Sequence, residues 1–426
     1  MSYESFLATK RRVYLGDGLS AEMPEWLFPW QAAVTKWALR KGRAAIWSDC
    51  GTGKTRMQLA WSEKIPGRVL ILAPLCVAEQ TVREGASVGV DVSYARTQDD
   101  AHGRIVVTNY ERLDRFDATA WDGVVLDESS ILKSFDGKTR SALIAAFAKT
   151  RYKLCCTATP SPNDIAETAN HAEFLGLMTR PEFLATWFIH DDTGWRMKKH
   201  AVAPFYRWLA SWAVAVRKPS DLGYSDDGYV LPPLNIHDVV VPFDGPSSSL
   251  FPELATKGIQ GRLSARRGSL DARVQAAAEL ASRPGQWLLW CGLNQEADAL
   301  AAMIPDAVNV QGSDSYAEKV SAVLGFQDGS IRVLVTKAKV LGFGMNFQNC
   351  HQMAFVGISD SYEAYYQAIR RCWRFGQPHP VDAYVVVSEA ERSIVQNVRN
   401  KESAAGALAD ELLKHMRVFE RREVSA

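Results

Sequence analysis

The sequence predicts an α/β protein of two lobes, with a helical insertion and a linker between them. Longer Ala-rich stretches of helical pattern alternate with short apolar runs at 68–73, 104–108, 123–126, 287–290, 331–335 and 381–387. Continuous apolar strands that alternate with helices are typical of a buried parallel sheet. A helical, Trp-rich stretch from about 166 to 217 interrupts this alternation once. The length of 426 residues is enough for two or three domains.

The composition is that of an ordinary globular protein, 47% hydrophobic and 23% charged, which excludes disorder and collagen-like repeats. The formal net charge is only +1, so any nucleic-acid surface has to be local. The seven cysteines show no C-x-x-C spacing, which argues against a disulfide framework or a zinc site. Apolar runs stay far below the roughly 18 residues of a membrane span. These features predict a cytoplasmic protein.

A phosphate-binding loop is predicted where the apolar run 44–47 meets a helical pattern, in the sequence Ser48-Asp-Cys-Gly51-Thr52-Gly53-Lys54-Thr55. Glycines at 51 and 53 let backbone N–H groups face phosphates. The Lys54 ammonium can reach the β and γ phosphates, and the Thr55 hydroxyl can ligate Mg²⁺. Ser48 stands where the G-x-x-x-x-G-K-[ST] pattern has its first glycine.

An acid pair, Asp127-Glu128, follows the apolar strand that starts at Gly123. Asp127 can hold the metal through water, and Glu128 can orient or deprotonate an attacking water. A solvated strand end is the alternative interpretation. Because the pair lies downstream of the lysine of a phosphate-binding loop, the sequence predicts hydrolysis of ATP or GTP.

The motif order resembles that of helicase superfamily two. The segments that carry the resemblance are Gln31 in Phe28-Pro-Trp-Gln31, the loop 51–55, Asp127-Glu128, Thr157-Ala-Thr159-Pro160 with Asn163, and Gln367-Ala-Ile-Arg-Arg371-Cys-Trp-Arg374-Phe-Gly376-Gln377. The last segment is similar to the Q-x-x-x-R-x-x-R-x-G-Q pattern of Swi/Snf-type DNA translocases. The resemblance spans about residues 28–400.

The resemblance implies two RecA-like lobes with ATP between them. In that arrangement Gln31 reads the adenine edge and favours ATP over GTP, unless it is a helix-surface glutamine. Thr157 and Thr159 couple the nucleotide state to lobe movement. Arg371 and Arg374 act as arginine fingers, unless 370–374 is only a basic helix face. Gln377 supports that motif and is expected to belong to the ATP-binding site.

The resemblance also implies contacts with a nucleic-acid backbone. The expected residues are Pro74, Thr108, Asn109 and Tyr110 in the first lobe and Gly342, Gly344 and Asn346 in the second. A tight turn is the alternative for the glycines. The chain departs from the family where Asp-Glu-Ser-Ser lacks the histidine of Asp-Glu-Ala-His, where Ala158 replaces glycine, and where 336–341 aligns poorly.

The expected boundaries are a first RecA-like lobe at 1–165, a helical Trp-rich insertion at 166–230, a linker and the start of lobe two at 231–270, and the second lobe at 271–426. Residues 180–218 include seven basic and three acidic residues, and this local excess of positive charge suits phosphate contacts. Trp208 and Trp212 are spaced i, i+4, which predicts a packed helix face and not a base-stacking platform.

The function these observations favour is that of an ATP-driven motor that tracks along double-stranded DNA and uses ATP and Mg²⁺. Two alternatives stay open. One is a strand-separating helicase of another branch, acting on RNA or single-stranded DNA; the other is an ATP-switched nucleic-acid clamp. We expect the protein to be a monomer and to act in a bacterial or phage-infected cell.

Overall fold

The computed structural model describes residues 13–74, 77–133, 137–191, 194–242, 268–341 and 345–423. The chain forms two compact units. The first comprises Met1–Asp226 with Ala404–Ala426, and the second comprises Asp227–Ser403.

The first unit alternates strands and helices along the chain. Its described helices are α1 (Pro29–Lys41), α2 (Lys54–Lys64), α3 (Ala78–Ser87), α4 (Lys138–Ala146), α5 (Thr168–Leu175), α6 (Arg180–Trp187) and α7 (Val202–Leu209). Its strands are β1 (Arg43–Ser48), β2 (Val69–Ala73), β3 (Val92–Tyr94), β4 (Ile105–Asn109), β5 (Gly123–Asp127), β6 (Tyr152–Thr157), β7 (Phe188–Asp191), β8 (Gly194–Met197) and β9 (Ala213–Val216).

A seven-stranded sheet in the order β3-β4-β2-β5-β6-β1-β9 forms the centre of the first unit. All of its strand pairs are parallel. Strands β2, β4, β5 and β6 are buried along their whole length, which explains their continuous apolar sequences. The carboxyl ends of β5, β6 and β1 are neighbours, because Asp127 pairs with Cys156 and Trp47 with Thr157.

The segment 166–230 contains more than helices. Strands β7 and β8 form an antiparallel hairpin, and β9 pairs with β1 at the edge of the main sheet. Trp208 and Trp212 are 4% and 0% exposed, and their rings lie 5.3 Å apart. The expectation that these tryptophans are packed inside the protein is confirmed, but α7 ends at Leu209, so Trp212 lies after the helix and not on its face.

The second unit is also a parallel α/β structure. Its described helices are α8 (Leu270–Ala281), α9 (Asn294–Met303), α10 (Tyr316–Gln327), α11 (Ala338–Leu341), α12 (Tyr362–Cys372) and the start of α13 (Arg392–Glu423). Its strands are β10 (Leu234–Val241), β11 (Trp287–Cys291), β12 (Ala307–Val310), β13 (Val333–Thr336), β14 (Gln352–Val356) and β15 (Val381–Ser388).

The six strands of the second unit lie in the order β10-β15-β14-β11-β13-β12, and all pairs are parallel. An ion-pair network buried beside this sheet joins α8 to α9. Arg273 Nη1 lies 2.5 Å from Glu296 Oε1, and both side chains are fully buried. Two parallel sheets flanked by helices confirm the predicted fold class of two RecA-like lobes.

The last helix, α13, contributes to the first unit from Ala404 onward. There Asp410 pairs with Arg217 at 2.8 Å, and the His415 ring stacks on Tyr206 at 5.8 Å between centroids.

Candidate nucleotide site

The loop between β1 and α2 has the geometry of a phosphate cradle. Gly51 and Gly53 have φ angles of 81° and 82°, in the left-handed region that favours glycine. Helix α2 begins at Lys54, so its free N–H groups and positive dipole end lie at the loop. Lys54 Nζ donates to the carbonyl oxygens of Ser48 and Asp49 at 3.0 and 3.2 Å. A phosphate group fits this backbone and this charge.

Gln31 supports the loop from α1. Its side chain is 1% exposed, Nε2 donates to Thr52 O at 2.8 Å, and Oε1 accepts from Phe28 N at 3.1 Å. A Cβ at Gly53 would lie 2.4 Å from Gln31 Nε2, and the φ of 82° also favours glycine there. The alternative of a surface glutamine is therefore wrong. Each polar atom of the amide keeps capacity for one more hydrogen bond.

The acid pair ends β5 at the same sheet edge. Asp127 is 4% exposed, and its Oδ1 accepts from Gln58 Nε2 at 2.7 Å. The Tyr110 hydroxyl donates to Asp127 O at 2.7 Å and so holds the backbone of the pair. The Asp127 carboxylate also interacts with the backbone N–H of Glu128.

Lys54 and the acids interact electrostatically. Burial alone would lower the pKa of Lys54, but Cys50, Glu128, Asp127 and Asp49 together raise it above its ordinary value. Burial raises the pKa of Asp127, against the opposing effects of Gln58 and Lys54. Lys54 therefore stays charged, while Asp127 binds a proton more tightly than an exposed aspartate does.

Glu128 adopts an unusual backbone conformation. Its φ of 55° makes it the one non-glycine residue with positive φ in the part of the chain that the structure describes. Such a conformation costs of order 1–2 kcal/mol and requires support from its surroundings. Thr157 Oγ1 donates to Glu128 Oε2 at 3.3 Å and accepts from Thr159 N at 3.1 Å. Thr157 thus contacts the acid pair directly, and Thr159 is joined to it through Thr157.

The oxygen ligands at this site suit a magnesium ion better than a metal that is held by protein side chains alone. Across the described residues, no group of three or more His, Cys, Asp or Glu side chains is placed to hold a metal. Mg²⁺ commonly binds through one or two protein oxygens together with phosphates and water. Thr55, in the first turn of α2, and Asp127 are such oxygens.

The segments expected to contact nucleic acid in the first unit lie at the carboxyl ends of β2 and β4. Ala73, before Pro74, pairs with Asn109. Thr108, Asn109 and Tyr110 are all at most 5% exposed. Thr108 Oγ1 donates to Ala95 O, and Asn109 Oδ1 accepts from the Tyr94 hydroxyl. These side chains are hydrogen-bonded inside the unit.

The basic motif of the second unit lies at the end of α12. Arg371 is 6% exposed, and it donates to Gln367 O at 3.0 Å and Met345 O at 3.2 Å. Gln377 Nε2 donates to Cys350 O and Cys372 O, at 2.9 and 3.2 Å. Arg371 is therefore not part of a solvated basic helix face. Gln377 fixes the turn that follows the helix.

Asn346 lies directly after Met345, whose carbonyl oxygen accepts from Arg371. Asn346 O accepts from Gln327 Nε2 at 2.7 Å, while Asn346 Oδ1 is buried without a hydrogen-bond partner among the described residues. The predicted Gly342 and Gly344 lie outside the described residues.

Two family models match the chain. The SNF2-related domain matches residues 29–190, and the helicase conserved C-terminal domain matches residues 272–376. The chain belongs to the SNF2-type helicases of superfamily two. The resemblance read from the motifs is confirmed.

Comparison with solved structures gives a distant match. The Sulfolobus solfataricus SWI2/SNF2 ATPase core in complex with dsDNA is 16% identical over 94% of this chain and 98% of that chain, with a TM-score of 0.45. No protein with curated function matches the chain. None of the described helices of this SNF2-type chain is both long and apolar enough to cross a membrane.

Two residues of the SNF2-type site escaped the sequence analysis. Gln58, the partner of Asp127, lies four residues after Lys54, and this helical spacing places both on one face of α2. The spacing is a signal that could have found it. The second is His171 on α5. Its Nε2 lies 3.1 Å from the Oγ of Ser129, the residue directly after the acid pair. No spacing in the sequence points to His171.

Proposed function

We propose that this SNF2-type chain is an ATP-driven motor that tracks along double-stranded DNA. The observation that carries the proposal is the carboxyl edge of the first sheet, where Lys54, Asp127 and Glu128 interact beside a glycine-rich loop. Open α/β sheets bind ligands at this edge. A charged lysine at a helix N-terminus, facing two acids, fits a nucleoside triphosphate with its metal.

The roles in ATP hydrolysis follow from this arrangement. The loop amides and Lys54 bind the phosphates, and Gln31 offers its remaining donor and acceptor to adenine. Thr55 and Asp127 would hold Mg²⁺, which neutralises charge on the phosphates when bound. Glu128 orients or deprotonates the attacking water, and Thr157 holds the Glu128 carboxylate in place.

Arg371 and Arg374 are proposed to supply positive charge to the transferring phosphoryl group. A planar and permanently charged guanidinium suits the charge spread over the phosphoryl oxygens. The hydrogen bonds of Arg371 to the backbone of 345 and 367 would restrict its orientation before the reaction. Preorganised charge of this kind is what a catalytic arginine needs.

Double-stranded DNA is the proposed track. Support comes from the two family matches and from the segment Gln367–Gln377, which is similar to that of enzymes that follow duplex DNA. The strand-separating helicase and the ATP-switched clamp remain the competing proposals, and intact Arg371 and Arg374 favour an active ATPase over a passive switch.

An ATPase assay with different nucleic acids tests this function. Duplex DNA should stimulate hydrolysis more than single-stranded DNA or RNA, and the stimulation should fall steeply with added salt, because phosphate contacts release counterions. Lys54→Ala should abolish turnover in every condition. Absence of hydrolysis with all nucleic acids would contradict the proposal, and preference for single strands would favour the helicase.

A further inference from the structure

The turn after the acid pair is held by an element outside the motifs. Residues Ser129–Lys133 form a short 3-10 helix directly after Glu128. Ser129 is 0% exposed and His171 is 1% exposed, with 3.1 Å between Ser129 Oγ and His171 Nε2. The family has Ala-His at positions 129 and 130, where this chain has Ser-Ser. Position 129 therefore carries a hydroxyl that alanine would lack.

We propose that His171 is a positioning residue for ATP hydrolysis, holding Ser129 so that Glu128 keeps its left-handed conformation. This inference rests on the proposed function. Glu128 has φ 55°, which an L-residue without support leaves for the ordinary regions of backbone conformation. A buried hydrogen bond at the next residue opposes that relaxation.

A second contact from α5 supports the same role. Asn170, next to His171, donates through Nδ2 to Leu132 O at 2.7 Å. The Asn170 Oδ1 atom in turn accepts from Arg140 Nη1 at 3.3 Å. Helix α5 thus holds the 129–133 turn at both ends, through two adjacent side chains. Because the turn begins directly after Glu128, fixing the turn restricts the backbone of Glu128.

The surroundings of His171 suit a fixed neutral ring. The ring meets the edge of Trp47, one residue before the phosphate-binding loop, at 5.7 Å between centroids. Burial lowers the pKa of His171 to about 3. Nδ1 has no hydrogen-bond partner among the described residues. The Ser129 contact is therefore the polar interaction that fixes the ring, and protonation does not interrupt it near neutral pH.

The test compares three single variants and one double variant for DNA-stimulated ATP hydrolysis, with kcat normalised to sites titrated by a non-hydrolysable ATP analogue. His171→Phe and Ser129→Ala should each lower kcat about five- to tenfold, the loss of one buried hydrogen bond, with an unchanged KM for ATP. His171→Gln places an amide near the Nε2 position and should restore most of kcat. The double variant should lose no more than either single one.

Ser211→Ala is the matched control. Ser211 is 1% exposed, and its hydroxyl accepts from Tyr14 N and donates to Trp208 O, before the amino end of β9. This variant should melt at a lower temperature but keep the kcat of the wild type. A purely structural role for His171 predicts the same pattern for His171→Phe.

The outcomes separate this inference from the proposed function. If the wild type hydrolyses ATP and both His171→Phe and Ser129→Ala keep its kcat, the positioning role is wrong while the function stands. If the wild type hydrolyses no ATP, the function itself fails, and the inference fails with it. Should His171→Phe not fold, Ser129→Ala alone decides, because it removes only a hydroxyl.

Discussion

Replacing Gln31 with alanine should weaken both nucleotide use and the phosphate-binding loop. The side chain makes two buried hydrogen bonds, to Thr52 O and from Phe28 N. At about 1 kcal/mol for each bond, their loss amounts to about 2 kcal/mol. That corresponds to a fall in kcat/KM for ATP of about 30-fold. The remaining amide donor and acceptor match the amino group and N7 of adenine, so the preference for ATP over GTP should vanish as well.

Steady-state turnover of ATP and GTP, measured side by side, checks this reasoning. Gln31→Glu is nearly isosteric but places a carboxylate oxygen against Thr52 O, so it should lose as much activity as the alanine variant. Lys36→Ala serves as the control on the same helix, because Lys36 pairs with the exposed Glu22 and not with the phosphate-binding loop in the part of the chain that the structure describes. Equal kcat/KM for both purines in the wild type, or an unchanged kcat/KM for ATP in Gln31→Ala, would refute the assigned role.

Three further changes give distinct results. Arg371→Ala should lower kcat about 10³-fold or more, and near wild-type turnover would exclude a catalytic arginine there. Gln58→Leu should move the acid limb of the pH–rate profile to higher pH. Burial already raises the pKa of Asp127, and the variant removes the hydrogen bond from Gln58 that opposes this rise. An acid limb at unchanged pH would mean that another group determines its position. Burial lowers the pKa of Lys153 from 10.5 to about 8, which corresponds to about 3 kcal/mol. The folded state therefore binds the Lys153 proton less tightly than the unfolded state does. As a result, the unfolding free energy of the wild type rises as the pH rises from about 8 to 10.5. The advantage in unfolding free energy of Lys153→Met over the wild type should shrink over that range, and a constant difference between pH 7 and 10 would contradict the cause.

The sequence predicts the two parallel sheets because buried parallel strands have continuous apolar sequences. It also predicts that the glycine-rich loop and the acid pair lie at strand ends, since a strand, a glycine-rich turn and a helix are local features. Strand β9 could not be predicted in the same way. Ala213–Val216 has only four residues after a Trp-rich helix, and it becomes a strand because β1 offers a free edge.

Long-range contacts account for what the sequence did not predict at the site. His171 lies 42 residues from Ser129, and only the packing of α5 brings them together. The left-handed backbone conformation of Glu128 could not be predicted either, because glutamate has no preference for positive φ. The carboxyl-terminal part of α13 packs on the first unit, although its amphipathic sequence specifies only that some apolar surface must cover it.

Displacement of a third strand from triplex DNA is the most direct test of the central claim that this chain is a motor on duplex DNA. With ATP and Mg²⁺ the wild type should release the third strand and leave the duplex paired, while Glu128→Gln should bind the triplex without releasing it. DNA-stimulated hydrolysis without release would contradict the motor and favour the clamp, and separation of a forked duplex would favour the helicase.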